Sequence, residues 1–270
     1  MRLLDDYSLW GARLDNETDP EVLQVTERHA YLQEIFERPI AGFFPVLGWY
    51  IRSKWADAFI KIKANAPIQV LEVASGSSIN IPQAISELYD DPYTNYTAFN
   101  LNKKLTESFK SSVKHLPLKI DVIEDAAQRI EDYIGASKMD VVIFEHAIND
   151  ILQGMFAARH GIDTIDTDWF DVLPKMVEII TDEHRRGTLE GFVKHEFIEL
   201  LKSCFMTLKP GGFMCFFHHM YQMDLDCGYD EELYENMIHM TRKWIKEAKI
   251  GSEVFFDGFD PHWWMFIQKV

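Results

Sequence analysis

The chain has 270 residues, 47% of them hydrophobic and 13% aromatic, which is enough for one sizeable core with an elaboration. Its net charge of −16 repels phosphate backbones. No apolar run reaches the ~20 residues that a membrane span needs. The composition therefore argues against nucleic-acid and membrane partners. It is compatible with a small neutral or cationic substrate, although a role in solubility alone also accounts for the charge.

The three cysteines, Cys204, Cys215 and Cys227, are odd in number and show no CxxC spacing. We interpret them as free thiols in a reducing compartment. The first 19 residues are too polar and acidic for a signal or transit peptide. We therefore expect a cytoplasmic protein, and a homodimer stays open.

Residues 1–66 show no strand pattern and are predicted to form a helical cap. An acidic cap followed by proline opens one helix at Asp19. Further on, Pro45 and Gly48 interrupt an aromatic-rich segment, which predicts two short helices there. This segment is interpreted either as a lid over a substrate pocket or as a helix packed on the sheet edge. Its candidate pocket residues are Phe43, Phe44, Trp49 and Tyr50.

A short apolar strand, a small-residue turn and a helix follow. Val70, Leu71 and Val73 form the strand pattern, with Glu72 inside it, and the turn is Ala74–Ser78. Small residues let a ligand approach the backbone, and the helix start offers free N–H groups. An ordinary strand-to-helix turn has the same pattern, so the turn alone does not identify a ligand.

Strand and helix patterns then alternate to the end of the chain. Further strands are predicted at 96–99, 118–123, 139–144, 213–217, 252–256 and 263–269. Helices are predicted around 82–89, up to 113, and at 151–159, 172–186, 189–208 and 231–248. This order predicts an α/β fold with a mostly parallel, doubly wound, seven-stranded sheet that ends in an antiparallel hairpin.

Polar groups follow the carboxyl ends of the predicted parallel strands, where such sheets bind ligands. They are Asn100, Asp125, Glu145–Asn149 and His218–His219. We expect them on one rim of the sheet.

Taken together, these segments resemble the Rossmann-like (class I) S-adenosylmethionine-dependent methyltransferases over about residues 66–270. The family's first motif is similar to LEVASGSS, and its second to YTAFNLN. Its adenine-binding segment is similar to EDAA, and its fourth motif, beside the sulfonium, to MDVVIFEHAINDI. The turn and strand that follow in the family resemble LKPGGFMCF.

The resemblance implies S-adenosyl-L-methionine as cofactor. Asn100 would bind the ribose, Asp125 would accept from the adenine amine, and Ala126 would offer its N–H. Glu72 and Glu145 would attract the sulfonium, and Glu72 has the alternative role of anchoring the turn through backbone N–H groups. The implied cofactor-binding residues are Glu72, Ala74, Ser75, Gly76, Asn100, Leu101, Asp125, Ala126, Glu145 and His146.

Two departures from the family pattern stand out. Ala74 and Ser78 replace the usual glycines, which is compatible with the turn only if φ stays negative at both. Asn100 replaces an acid, and losing a charge-assisted hydrogen bond there costs on the order of 1 kcal/mol.

Histidines on the rim are the candidate bases for methyl transfer, because histidine titrates near neutral pH. They are His146, His218 and His219, each with a structural role as the alternative. No HExxH or similar spacing is present, so no metal is predicted. Asn149 and Trp169 complete the predicted substrate pocket, and Asn149 has helix capping as its alternative.

The predicted organisation is a helical cap or lid at 1–66 and a methyltransferase domain at 67–270, with a helical insertion at about 151–188. The expected activity is O- or N-methylation of a small molecule in an enclosed pocket. Carboxymethyl or aminopropyl transfer is an alternative on the same fold. A non-catalytic protein acting as a binding or regulatory partner is another. A dehydrogenase is disfavoured because GxGxxG is missing.

Overall fold

The computed structural model describes residues 44–62, 64–218, 224 and 226–270, and only the backbone of residues 44–50. The predicted helix from Asp19, and the candidate site residues Phe43 and His219, lie outside the described residues. None of the described helices is long and apolar enough to span a membrane.

A seven-stranded sheet forms the centre of the described chain. Its strands are β1 Gln69–Val73, β2 Asn95–Asn100, β3 Lys119–Glu124, β4 Met139–Glu145, β5 Leu208–Phe217, β6 Ser252–Val254 and β7 Trp264–Gln268. The spatial order is β3-β2-β1-β4-β5-β7-β6. Strands β1 to β5 pair in parallel, and β7 is antiparallel to both β5 and β6. The predicted fold class is confirmed.

Helices cover both faces of this sheet. They are α1 Phe44–Lys61, α2 Asn80–Leu88, α3 Lys103–Ser112, α4 Ile130–Tyr133, α5 Ile148–Arg159, α6 Trp169–Arg185, α7 Leu189–Thr207 and α8 Glu231–Ala248. A 3-10 turn, Ala127–Arg129, precedes α4. The sequence pattern did not predict α4 or this turn, because four helical residues are too few for a periodic signal.

The prediction of two short helices around Pro45 and Gly48 was wrong. One continuous helix, α1, contains both residues. Pro45 lies in its first turn, where a backbone N–H has no partner within the helix, so proline does not break it. Gly48 only weakens a helix, and burial of Trp55 against the sheet offsets that cost.

Alternation along the strands divides the core into two layers. On β1, Leu71 and Val73 face the layer that includes residues of α5 to α8. Val70 faces the other layer, together with Trp55 of α1 and Ile85 of α2. Because neighbouring side chains point to opposite faces, Glu72 lies on the α1 and α2 side of the sheet.

Candidate functional site

A cavity of about 380 Å³ lies at the carboxyl edge of the parallel strands. Gly76, Asn100 and Asp125 line it from the segments that end β1, β2 and β3. Met155 of α5 and Trp169 of α6 line it from the connection between β4 and β5. The strand ends and the helices after β4 therefore line one pocket, at the rim where the sequence predicted ligand binding.

The turn after β1 is shaped for close approach by a ligand. Gly76 has φ +57°, and a Cβ placed on it would meet no protein atom within 4 Å. Ala74 also lines the cavity and has φ +57°, which is opposite to the negative φ expected for it. A left-handed alanine is strained, so the surrounding structure holds this turn in place.

Asn100 fixes the turn from the next strand. Its side-chain Nδ2 donates to the Gly76 carbonyl oxygen at 2.9 Å. No described residue donates to its side-chain oxygen, and Asn100 and Leu101 both line the cavity. Asn100, predicted to bind the ribose, thus holds the turn in place, which the sequence did not reveal.

Sequence reasoning missed Asn102, which joins two walls of the cavity. Its side chain caps α3 by accepting from the Leu105 amide at 2.9 Å. Its Nδ2 donates to the carbonyl oxygens of Thr164 and Thr167, at 2.9 and 2.8 Å. It therefore holds the loop before α6 over the cavity. An asparagine at a predicted helix start was the available signal.

Asp125 lines the cavity, but its carboxylate already has protein partners. It accepts from the Tyr133 hydroxyl and from the Ala126 amide, and it pairs with Arg129 at 2.6 Å. The hydrogen bonds from Tyr133 and Ala126 lower its pKa. The N–H of Ala126, expected to face the adenine, points instead at Asp125.

All ionisable residues among the described lining of the cavity are acids. They are Asp125, Asp150, Asp163 and Glu196. Burial, and the nearby carboxylate of Asp224, raise the pKa of Asp150. Such a lining favours a neutral or cationic ligand over one that carries phosphate groups.

Glu72 and Glu145 do not line this cavity. Glu72 is fully buried and accepts a hydrogen bond from the Tyr96 hydroxyl. Among the described residues, no backbone N–H of the turn donates to it. Glu145 accepts from the Asn80 side chain at 2.8 Å and from the Ser78 hydroxyl at 3.2 Å. Burial raises the pKa of Glu145 to about 7, and burial and Glu145 raise the pKa of Glu72.

The predicted catalytic histidines of β4 and β5, His146 and His218, lie beside each other with ring centroids 5.9 Å apart, and neither lines the cavity. His146 follows β4 with φ +49°, and the Tyr234 hydroxyl lies 3.0 Å from its Nδ1. Asp224 Oδ2 lies 3.5 Å from His146 Nε2. His218 is buried and stacks on the Tyr234 ring at 4.6 Å. Burial, and His146, lower the pKa of His218. No sequence pattern pointed to Tyr234 or Asp224, since both lie far along the chain.

The remaining predicted residues divide into three groups. Trp169 lines the cavity. Asn149 is buried in the first turn of α5, where its side chain donates to Asp150 at 2.8 Å and does not cap the helix. Ser75 is buried in the turn after β1. The side chains of Phe44, Trp49 and Tyr50 lie outside the described part of the structure.

Within the described part of the chain, no group of acids, histidines or cysteines has the arrangement of a metal site.

The fold is similar to that of solved methyltransferases. A putative S-adenosylmethionine-dependent methyltransferase from Methanococcus maripaludis aligns with a TM-score of 0.50 and 14% identity, over 90% of this chain and 92% of that one. A SAM-dependent methyltransferase from Aquifex aeolicus aligns with a TM-score of 0.46 and 10% identity, over 79% of this chain and 88% of that one. A putative rRNA methylase from Clostridium thermocellum aligns with a TM-score of 0.47 and 12% identity, over 81% of this chain and 96% of that one.

No protein-family model matches the chain, and no curated protein matches it. The strand order and the Methanococcus structure together define the class of fold: the chain has the class I Rossmann-like methyltransferase fold.

Proposed function

We propose that the chain is an S-adenosylmethionine-dependent methyltransferase that methylates an oxygen or nitrogen atom of a small molecule. The cavity at the ends of β1, β2 and β3 is the observation that carries this proposal. It combines an open turn at Gly76 with a lining in which every described ionisable group is an acid. A sulfonium nucleoside fits both features, whereas a dinucleotide would bring phosphates to an acidic lining.

The residues present fit such a cofactor. Gly76 leaves room for the methionine part, and the Asn100 side-chain oxygen is placed to accept from a ribose hydroxyl. Ala126 and Met155 offer apolar surface to the adenine. When bound, the cofactor supplies an electrophilic methyl group. The task of the chain is to hold the acceptor in line with it and to take up a proton.

His146 is the residue proposed to take up that proton. Its ring is held by the Tyr234 hydroxyl, and the Asp224 carboxylate 3.5 Å from Nε2 would stabilise the charged imidazolium. Adjacent His218 is kept neutral by burial, so the two rings do not compete for the proton. This division of roles supports an O–H or N–H acceptor.

A small-molecule substrate is supported by the helices and the loop around the cavity and by the charge of the chain. Helices α5 and α7 and the loop held by Asn102 cover the cavity. A net charge of −16 is unfavourable for an RNA substrate.

Calorimetric titration of the full chain with S-adenosylmethionine and with S-adenosylhomocysteine tests the proposal. Saturable binding of either compound supports it. No binding of either compound would reject it and favour the non-catalytic alternative. A competition with NAD should leave both affinities unchanged, whereas displacement by NAD would point to a dinucleotide site.

A further inference from the structure

Two buried acids under the turn have no role in the function proposed so far. Glu72 is 0% exposed and Glu145 is 6% exposed. One oxygen of each, Glu72 Oε1 and Glu145 Oε2, has no hydrogen-bond partner among the described residues. No described basic side chain forms an ion pair with either. Buried acids that lack a cation are costly, and such groups occur at functional sites.

The pair is joined directly to the turn that opens into the cavity. Glu72 precedes Ala74 by two residues on β1. Glu145 accepts from Ser78 and Asn80, the residues that lead from the turn into α2. A charge arriving at the turn therefore acts on both carboxyl groups across a water-poor interior, where electrostatic interactions are strong.

Among the described residues, the groups that face the pair offer no compensating charge. From β2, Tyr96 donates its hydroxyl to Glu72. From the turn, from α2 and from α1, the facing groups are Ser78, Asn80 and Trp55, none of which titrates near neutral pH. None of these described groups supplies a positive charge, whereas a cationic ligand would.

We propose that the Glu72–Glu145 pair distinguishes the cationic cofactor from its neutral demethylated product, by losing one proton when the cation binds and regaining it when that charge is gone. This inference rests on the proposed function. The number of protons is conserved when the acceptor carries an O–H or N–H group. The acceptor's bond to hydrogen breaks as its bond to the methyl group forms, and one proton is released. His146 takes up that proton and passes it to solvent, and Glu145 regains one proton from solvent as the ligand's positive charge disappears.

The electrostatics of the pair support Glu145 as the member that changes charge. Burial raises the pKa of Glu145 to about 7, while burial and Glu145 together hold the pKa of Glu72 well above its usual range. Below about pH 7, a cation must expel the Glu145 proton before it binds. Its affinity should therefore fall by up to about tenfold per pH unit below that value.

The test is calorimetry of the full chain in buffers of different ionisation enthalpy, which counts protons released on binding. At about pH 6, S-adenosylmethionine should release about one proton more than S-adenosylhomocysteine does. In Glu145→Gln this difference should disappear. The exposed control Glu178→Gln should keep it. Because each ligand is compared between proteins, the ligand's own titration cancels.

The outcomes separate this inference from the proposed function. If neither compound binds to the wild-type chain, the proposed function fails and this inference fails with it. If both bind with equal proton release in the wild type, only this inference is overturned. The same holds if Glu145→Gln keeps the full difference. Equal proton release by the two compounds in the wild type overturns this inference even if that variant does not fold.

Discussion

Ala74 and His146 occupy matching positions at the edge of the sheet. Each directly follows its strand, β1 or β4, and these strands are neighbours. Each donates its N–H to the strand on its outer side, Ala74 to Phe99 at 2.8 Å and His146 to Phe217 at 2.7 Å. Each then turns away with a positive φ, 57° and 49°. Two strained non-glycine residues thus lie side by side at the carboxyl ends of the paired strands β1 and β4, as expected of a functional site.

Because Ala74 has a strained positive φ, glycine at this position should stabilise the folded chain. Ala74→Gly should raise the free energy of unfolding by about 1 kcal/mol, because glycine adopts a positive φ without a Cβ clash. Thermal unfolding should show a midpoint about 2–4 °C higher. The control Ala84→Gly, at a helical position of α2, should lower stability by about 1 kcal/mol or more. Equal losses in both variants would mean that Ala74 carries no strain.

Gly76 allows stability to be separated from binding. A valine there has open space but a strained φ, so Gly76→Val should cost about 1–2 kcal/mol of stability and abolish cofactor binding. Gly187, with φ +69° and nothing within 4 Å, is outside the cavity lining. Gly187→Val should have a similar stability cost and normal binding by calorimetry. Retained affinity in Gly76→Val would reject the assignment of this turn.

Tyr234 should act through His146. Tyr234→Phe keeps the ring that stacks on His218 and removes the hydroxyl 3.0 Å from His146 Nδ1. On an acceptor found by screening hydroxyl and amine compounds, turnover should fall about tenfold while cofactor affinity stays the same. Tyr89→Phe removes a hydroxyl bonded to the Ala64 carbonyl, away from the rim. It should leave turnover unchanged, and an equal fall in both variants would count against a role for Tyr234.

Glu145 should make the ligand-free protein less stable as the pH rises. Its pKa is about 7 in the folded chain and near 4.5 when unfolded, so the folded state binds more protons between these values. Its contribution to stability is therefore present below about pH 4.5 and is lost as the pH rises to about 7. Thermal unfolding should show Glu145→Gln to be more stable than wild type near pH 8, with the gain shrinking toward pH 5. A gain that does not depend on pH would contradict this.

The sequence predicted the sheet well because each parallel strand is a short apolar run followed by polar residues. His146 and His218 could be expected to meet, since they follow the neighbouring strands β4 and β5. Gly76, Asn100 and Asp125 could be placed on one rim by the same reasoning.

Contacts between distant segments were beyond this reasoning. Tyr234 reaches His146 because α8 packs against the sheet, and no local pattern specifies that packing. The hydrogen bond from Asn100 to the Gly76 carbonyl is another example. From the sequence, we expect Asn100→Asp to preserve or tighten cofactor binding. In the structure, this substitution would remove the side-chain N–H that donates to the Gly76 carbonyl oxygen and holds the turn.

The most direct measurement is an experimental structure of the full chain with S-adenosylhomocysteine. The account predicts the ribose beside Asn100, the adenine between Ala126 and Met155, and the sulfur near the Gly76 turn. A nucleoside bound at another place, or a rim filled by the chain's own side chains with the compound excluded, would contradict it.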